Sequence, residues 1–195
     1  MSGQDMTAFD PTQRLDFGEA LVPPDGYRLD AAIGTSFSMD FPTALTVPVA
    51  MALRDTIERD EIRTSPLAAL AAMQRLEKRI LICVEAGNIH TPSGRQTPLV
   101  SLLEGMVAEI QPPQGASFHP KVWVLRFRPT EAGLTKEVCR QRLILMSRNL
   151  TRDRSWDFAL RLDGVEQPRK QPVNDDLVSL MAWLIEKVKR RDKIF

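Results

Sequence analysis

The chain has 195 residues, of which 43% are hydrophobic and 26% charged, enough to bury the core of one globular domain. Its formal net charge of +1 excludes an overall polycation or polyanion. No apolar run approaches the roughly 20 residues needed for a membrane span, and no charged start followed by an apolar run marks a signal peptide.

In chain order, residues 1–28 are polar and interrupted by Pro23-Pro24 and Asp25-Gly26, which predicts an irregular arm ahead of a single domain over residues 29–195. Residues 28–41, with Ala31-Ala32-Ile33-Gly34-Thr35-Ser36-Phe37, read as the first strand. Pro42 then opens a helix with Leu45, Val49 and Leu53 on one face, and Pro48 predicts a kink or a late start. Ser65-Pro66 is a cap followed by Pro at the first helical position, leading into a helix over residues 67–76. The compact apolar run over residues 79–86, closed by Gly87, is a buried strand, and residues 90–97 form a loop. Residues 99–103 are too short to assign, and residues 106–110 read as a strand.

Further strands are predicted over residues 121–127, 142–146 and 157–162, with a polar connection over residues 128–139. A last amphipathic helix runs over residues 175–190, capped by Asn174, with Leu177, Leu180, Met181, Leu184, Ile185 and Val188 in one stripe. Helices alternate with strands early and strands cluster late. That order predicts an α/β fold, a mixed β-sheet flanked by helices on both faces.

Charge is unevenly placed. Residues 119–154 carry nine Lys/Arg against three Asp/Glu, so the rest of the chain carries a net charge of −5. Such an excess suits an anionic ligand. Cys83 and Cys139 have no short spacing and no matching His cluster, so neither a disulfide framework nor a zinc site is indicated. A reducing cytoplasm is the expected compartment.

The excess surrounds two short elements, Phe118-His119-Pro120-Lys121 and Ser147-Arg148-Asn149-Leu150-Thr151. Residues two apart share a face of a strand, so His119 would project with Lys121, and Ser147 with Asn149. An imidazole can attack phosphorus, an ammonium can offset charge on the nonbridging oxygens, and an amide or hydroxyl can supply fixed donors. A second acid must protonate the departing alkoxide, and the chain has one other histidine, His90, in a turn-rich loop. His90 reads as exposed and incidental.

With Ser155-Trp156-Asp157 as a third element, the chain resembles the phospholipase D (HKD) superfamily in its single-copy form, and within it the bacterial PLD-like nucleases. The resemblance covers about residues 30–165, and three spaced elements are more specific than one short motif. It implies a phospholipase D/nuclease-like sandwich and a metal-independent phosphodiesterase or endonuclease with no cofactor. It further implies His119 as nucleophile, Lys121 and Asn149 on the phosphate, Ser147 as support, and Asp157 accepting the other ring proton of His119. Single-copy members build the site from two subunits, so a homodimer is implied, and their setting is restriction or phage defence with a possible further subunit.

Arg148, Arg152 and Arg154 are candidates for gripping a nucleic-acid backbone, DNA before RNA. Trp123 and Trp156 read as packing residues. Two departures stand out: Arg126 occupies the position of the motif's Asp, and Met146 that of a Gly. They keep open a degenerate module that binds nucleic acid or protein without turnover. A phospholipase-type phosphatidyl hydrolase is the other alternative, though no amphipathic segment with an exposed aromatic face supports it.

Overall fold

A computed structural model of the chain describes residues 17–55, 66–90, 98–130, 138–152 and 157–191. Helix α1 (Phe17–Leu21) precedes strand β1 (Tyr27–Ser36), the short β2 (Met39–Asp40) and helix α2 (Phe41–Asp55). Helix α3 (Pro66–Leu76), β3 (Ile80–Glu85), β4 (Ile89–His90), α4 (Pro98–Glu104) and β5 (Val107–Ile110) follow. The chain then runs through β6 (Val122–Pro129), β7 (Arg140–Met146), β8 (Ala159–Val165) and α5 (Asp175–Arg191).

Six strands form one mixed sheet in the order β5-β3-β1-β6-β7-β8. The first three are mutually parallel, and β6, β7 and β8 form an antiparallel meander beside β1. Strands β2 and β4 pair separately, and Met39 bridges to Leu150. The fold is therefore the expected mixed α/β sandwich. Its alternation is clearest in β6, where Trp123, Leu125 and Phe127 are buried while Val122, Val124 and Arg126 are half-buried on the other face.

Helices α1 to α4 pack on the first face over Leu29, Ile82, Val84, Trp123, Leu125 and Ile144. Helix α5 covers the second face over Ile33, Leu81, Cys83 and Ile110, with Leu184 fully buried. Burying a large apolar side chain such as Leu184 contributes about 1.5–3 kcal/mol. Among the described residues no helix is long and apolar enough to cross a membrane.

Several expectations need correction. Within the stretch read as irregular, α1 forms and buries Ala20 and Leu21. Its last carbonyls find a donor far along the chain: the buried Arg142 guanidinium donates to Ala20 O at 2.7 Å and Val22 O at 2.8 Å. A carbonyl satisfied from 120 residues away leaves no local sequence signal. Helix α2 runs through Pro48, and its buried face centres on Ala44, Val47 and Met51, with Leu45 and Val49 only partly buried. The first strand ends at Ser36, residues 89–90 pair as a strand, and residues 98–104 are helical. In α5, Leu184 is buried but Ile185 stays exposed.

One close approach holds β1 and β6 together. A Cβ on Gly34 would meet the buried Trp123 ring at 2.5 Å, so only glycine lets the indole lie over the strand. Gly34→Ala is expected to cost about 1–3 kcal/mol through overpacking, seen as a lower thermal midpoint. An unchanged midpoint would mean that the indole has another place to go.

Candidate active site

The candidate residues gather at the carboxyl ends of β1 and β3, where the parallel half of the sheet meets the antiparallel half. Open α/β sheets commonly bind ligands at such a switch point. His119 and Lys121 lie in the irregular stretch leading into β6, and Ser147 to Asn149 follow the end of β7. They sit beyond the strands, so strand alternation does not set their directions. Tertiary hydrogen bonds do.

Lys121 is buried, with its Nζ 2.9 Å from Nδ1 and 3.2 Å from Nε2 of His119, and 3.3 Å from the His119 carbonyl oxygen. Burial lowers the Lys121 pKa below the ordinary lysine value. An imidazole that accepts at one nitrogen carries its proton on the other, so only one ring contact is a hydrogen bond at a time. The exposed His119 ring also rests on Phe37, with centroids 4.9 Å apart and planes tilted by 46°.

Phe37 links this pair to Asn149, because its backbone N–H donates to Asn149 Oδ1 at 3.3 Å. Ser36 Oγ lies 3.5 Å from the same oxygen, but its single proton is better placed on Ser38 O at 2.7 Å. Ser36 Oγ in turn accepts from Leu150 N at 3.0 Å. With Oδ1 fixed by a backbone donor, the Nδ2 protons of Asn149 are the end available to an anion. That orientation follows from the hydrogen-bond network.

Ser147 and Asp157 meet, but not in the manner expected. Asp157 Oδ1 accepts from Ser147 Oγ, from Ser147 N at 3.1 Å and from Arg148 N at 3.0 Å. Ser147 Oγ accepts from Phe158 N at 2.9 Å. Among the described residues no hydrogen bond joins Asp157 to His119; its carboxylate closes the turn after β7, because two backbone N–H groups and a hydroxyl converge there. The ring partner of His119 is Lys121.

The arginines divide. Arg148 donates from Nη2 to Thr151 O at 3.1 Å, Arg152 is exposed, and Arg154 and Trp156 lie outside the described residues. Arg126 projects from the sheet face and pairs with Asp30 and, at 2.9 Å, with Glu166. It ties β1 to the end of β8, so its charge is compensated there. Trp123 is fully buried, and His90 is exposed on β4.

Four residues absent from the sequence expectations organise the site, Phe37 and Ser36 among them. Glu85, ending β3, accepts from Phe118 N and, at 2.9 Å, from Ser117 Oγ, which fixes the approach to His119. A carboxylate closing an otherwise apolar strand was the available signal. Asp40 accepts from Thr43 N at 2.7 Å as the cap of α2 and from Arg152 N at 2.6 Å. An Asp just ahead of Phe41-Pro42 was legible as a cap.

Burial acts to raise the Asp40 pKa, but the Thr43 and Arg152 donors outweigh it and leave it lowered. A lowered carboxylate contributes stability above its unfolded value and loses it as pH falls through the folded value. Asp40→Asn keeps the cap acceptor but removes the charge at the helix N-terminus, so it is expected to cost about 0.3–1 kcal/mol at neutral pH. The difference from wild type should shrink below about pH 4, as read by denaturant unfolding across pH. A gap independent of pH would show that the charge is not what matters.

A cavity of about 400 Å³ opens near β5, lined in part by Phe41, Leu81, Ile89, Glu104 and Glu109, and none of the candidate residues lines it.

No protein-family model matches the chain. No curated protein matches it. Among solved structures it is similar to a mutant yeast tyrosyl-DNA phosphodiesterase, with 17% sequence identity and a TM-score of 0.36, over 69% of this chain and 23% of that one.

Proposed function

We propose that the chain is a metal-independent phosphodiesterase that cleaves nucleic acid through a covalent phosphohistidine on His119. One observation carries the reading: an exposed imidazole is held between a buried ammonium 2.9 Å away and an aromatic ring whose own backbone orients the Asn149 amide. These three groups match what an anionic tetrahedral centre requires: a nucleophile, a cation, and a donor with fixed direction.

In the first step Lys121 Nζ turns from the ring to the phosphate, and the ring nitrogen of His119 that it frees attacks phosphorus. The N–P bond forms, the P–O bond to the leaving nucleoside breaks, and the alkoxide takes a proton from a general acid. In the second step water attacks the same phosphorus, the N–P bond breaks, and the proton of the water passes to the group that acted as acid. Lys121 and the Asn149 Nδ2 protons offset charge on the nonbridging oxygens in both steps. The acid is the His119 of a second subunit, and two such imidazoles would titrate as a unit.

Arg148 and Arg152, within the basic stretch over residues 119–154, supply sequence-independent attraction to a phosphate backbone. DNA is the favoured substrate. Ser147 and Asp157 act as positioning residues that shape the turn carrying Asn149.

The test is a rapid denaturing quench of the reacting protein at alkaline pH, followed by peptide mass analysis. A substrate-derived phosphoryl group on His119 is expected. Turnover with no such adduct, or with an adduct on another residue, would refute the mechanism.

A further inference from the structure

Phe158 stands immediately ahead of β8 and is 74% exposed. The other aromatic rings around the site are engaged: Phe37 lies against His119, Phe118 against Trp183 with centroids 6.2 Å apart, and Trp123 in the core. Among the described residues Phe158 is the one aromatic side chain mostly in solvent. Leaving a phenyl ring in water forgoes the gain of burying it, so a large exposed ring beside a candidate site is informative.

The backbone beneath the ring is fixed. Phe158 N donates to Ser147 Oγ at 2.9 Å, and Ser147 N donates to Phe158 O at 2.9 Å. Phe158 is thereby locked to the turn that carries Asn149. On the other side of the same segment, Met146 N donates to Lys121 O at 3.0 Å. The stretch holding His119 and Lys121 therefore lies two strand spacings from Phe158, about 10 Å across the end of the sheet. Arg148 and Arg152 follow the end of β7, and the carboxylate of Asp157 is taken up by three donors of the turn. Leu160, on the same side of the strand, is 40% exposed, so the approach to the ring is open.

We infer that Phe158 is a stacking platform for the nucleobase next to the scissile phosphate, which makes the substrate a strand with an unpaired nucleotide at that place. This rests on the phosphohistidine reading and names the substrate class of the same site. A phosphate held by His119 and Lys121 leaves the adjoining sugar and base within reach of the ring. Base–aromatic stacking needs a free π-face and no particular base edge, so the platform is indifferent to sequence. Inside a duplex that face is covered by the neighbouring pairs. Freeing it takes a single strand or an extruded base.

The experiment uses the full chain as wild type, Phe158→Leu and Phe158→Trp. Val165→Ala, at an exposed position on the far end of β8, is the control. The probes are a labelled oligothymidylate and a strand of equal length built from abasic residues, which has the same phosphates and no bases. Binding by fluorescence anisotropy, KM and kcat of cleavage, melting and molar mass are read together. Phe158→Leu should weaken binding of the oligothymidylate by about 10-fold and raise KM alike, with a smaller change in kcat. Phe158→Trp and Val165→Ala should bind like wild type. The abasic strand should bind wild type about 10-fold more weakly than the oligothymidylate and Phe158→Leu no more weakly, because base and ring form one interaction. If the leucine variant melts early, Phe158→Gln, suited to an exposed position, takes its place.

A folded Phe158 variant without a ring that binds the oligothymidylate as tightly as wild type overturns the platform. So do losses from variant and abasic strand that add. A variant whose mass differs from that of wild type assigns the ring to a contact between chains and overturns it as well. The expected binding differences in a wild type that cleaves neither strand leave the platform standing and refute the phosphohistidine reading.

Discussion

His119→Ala is expected to lower nucleic-acid cleavage by at least about 10³-fold, while wild-type cleavage persists in excess EDTA. The loss is large because the imidazole is the atom donor of the covalent step. Without it water must displace the leaving group directly, and two moderate barriers become one high one. Folding should survive, since the ring is exposed and touches only Lys121 and Phe37 among the described residues. Substitutions at exposed positions usually stay within about 0.5 kcal/mol of wild type. Chelation is uninformative for folding but decisive for mechanism: if EDTA stops cleavage, a metal rather than Lys121 and Asn149 carries the charge stabilisation. An alanine variant that keeps the wild-type rate would remove His119 from the chemistry altogether.

Lys121→Met should lower kcat by about 10²–10³-fold, the effect of removing one preorganised charged donor. Activity and stability should move in opposite directions. Burial lowers the Lys121 pKa, so the folded state binds this proton less tightly than the unfolded chain does. The charged ammonium therefore works against folding at pH values below its folded pKa, and stability rises as pH passes from the folded value toward the unfolded one. Methionine has similar length and no charge to desolvate, so the variant should be at least as stable as wild type at pH 7. Activity has the other sign, because the cation is the working form. As pH rises through the lowered pKa the ammonium loses its proton and cleavage falls. The alkaline limb of kcat/KM should lie below the ordinary lysine value of about 10.4, and Lys121→Arg should remove that limb if any activity remains. A limb unchanged in Lys121→Arg would assign it to another group.

The Lys121 contact also illustrates how function sits against stability. A buried ammonium with an imidazole partner and, among the described residues, no carboxylate is a poor choice for holding a fold together. It is a reasonable one for meeting phosphate, whose charge would complete the pair. The arginines show the contrasting use. Arg142 is buried against Asp163 and two carbonyls, and Arg126 is paired with two carboxylates. Both are satisfied within the fold and hold distant segments together.

Part of the fold was legible because it depends on periodicity. The alternation in β6, the apolar run of β3 and the stripe of α5 each reflect a local geometry that repeats along the chain. Element ends were less legible. The end of β1 at Ser36 is decided by Thr35, whose Oγ1 accepts from Val122 N at 2.9 Å and donates to Val122 O at 3.2 Å. That hydroxyl stands in for a ladder partner 87 residues away, and nothing next to Thr35 announces it.

By itself the sequence determined the residue types of the candidate site, the mixed α/β architecture and the clustering of positive charge, since all three follow from local order and composition. The tertiary structure alone decided which groups meet. It gave His119 to Lys121 and Phe37 rather than to Asp157, and it turned Asp157 onto the Ser147 turn. It also left the aliphatic side of β8 without a covering helix among the described residues. For the site the physical reason is that its residues lie past the strand ends, where periodicity stops. There, direction is set by hydrogen-bond partners far away in the chain, which only folding brings within reach.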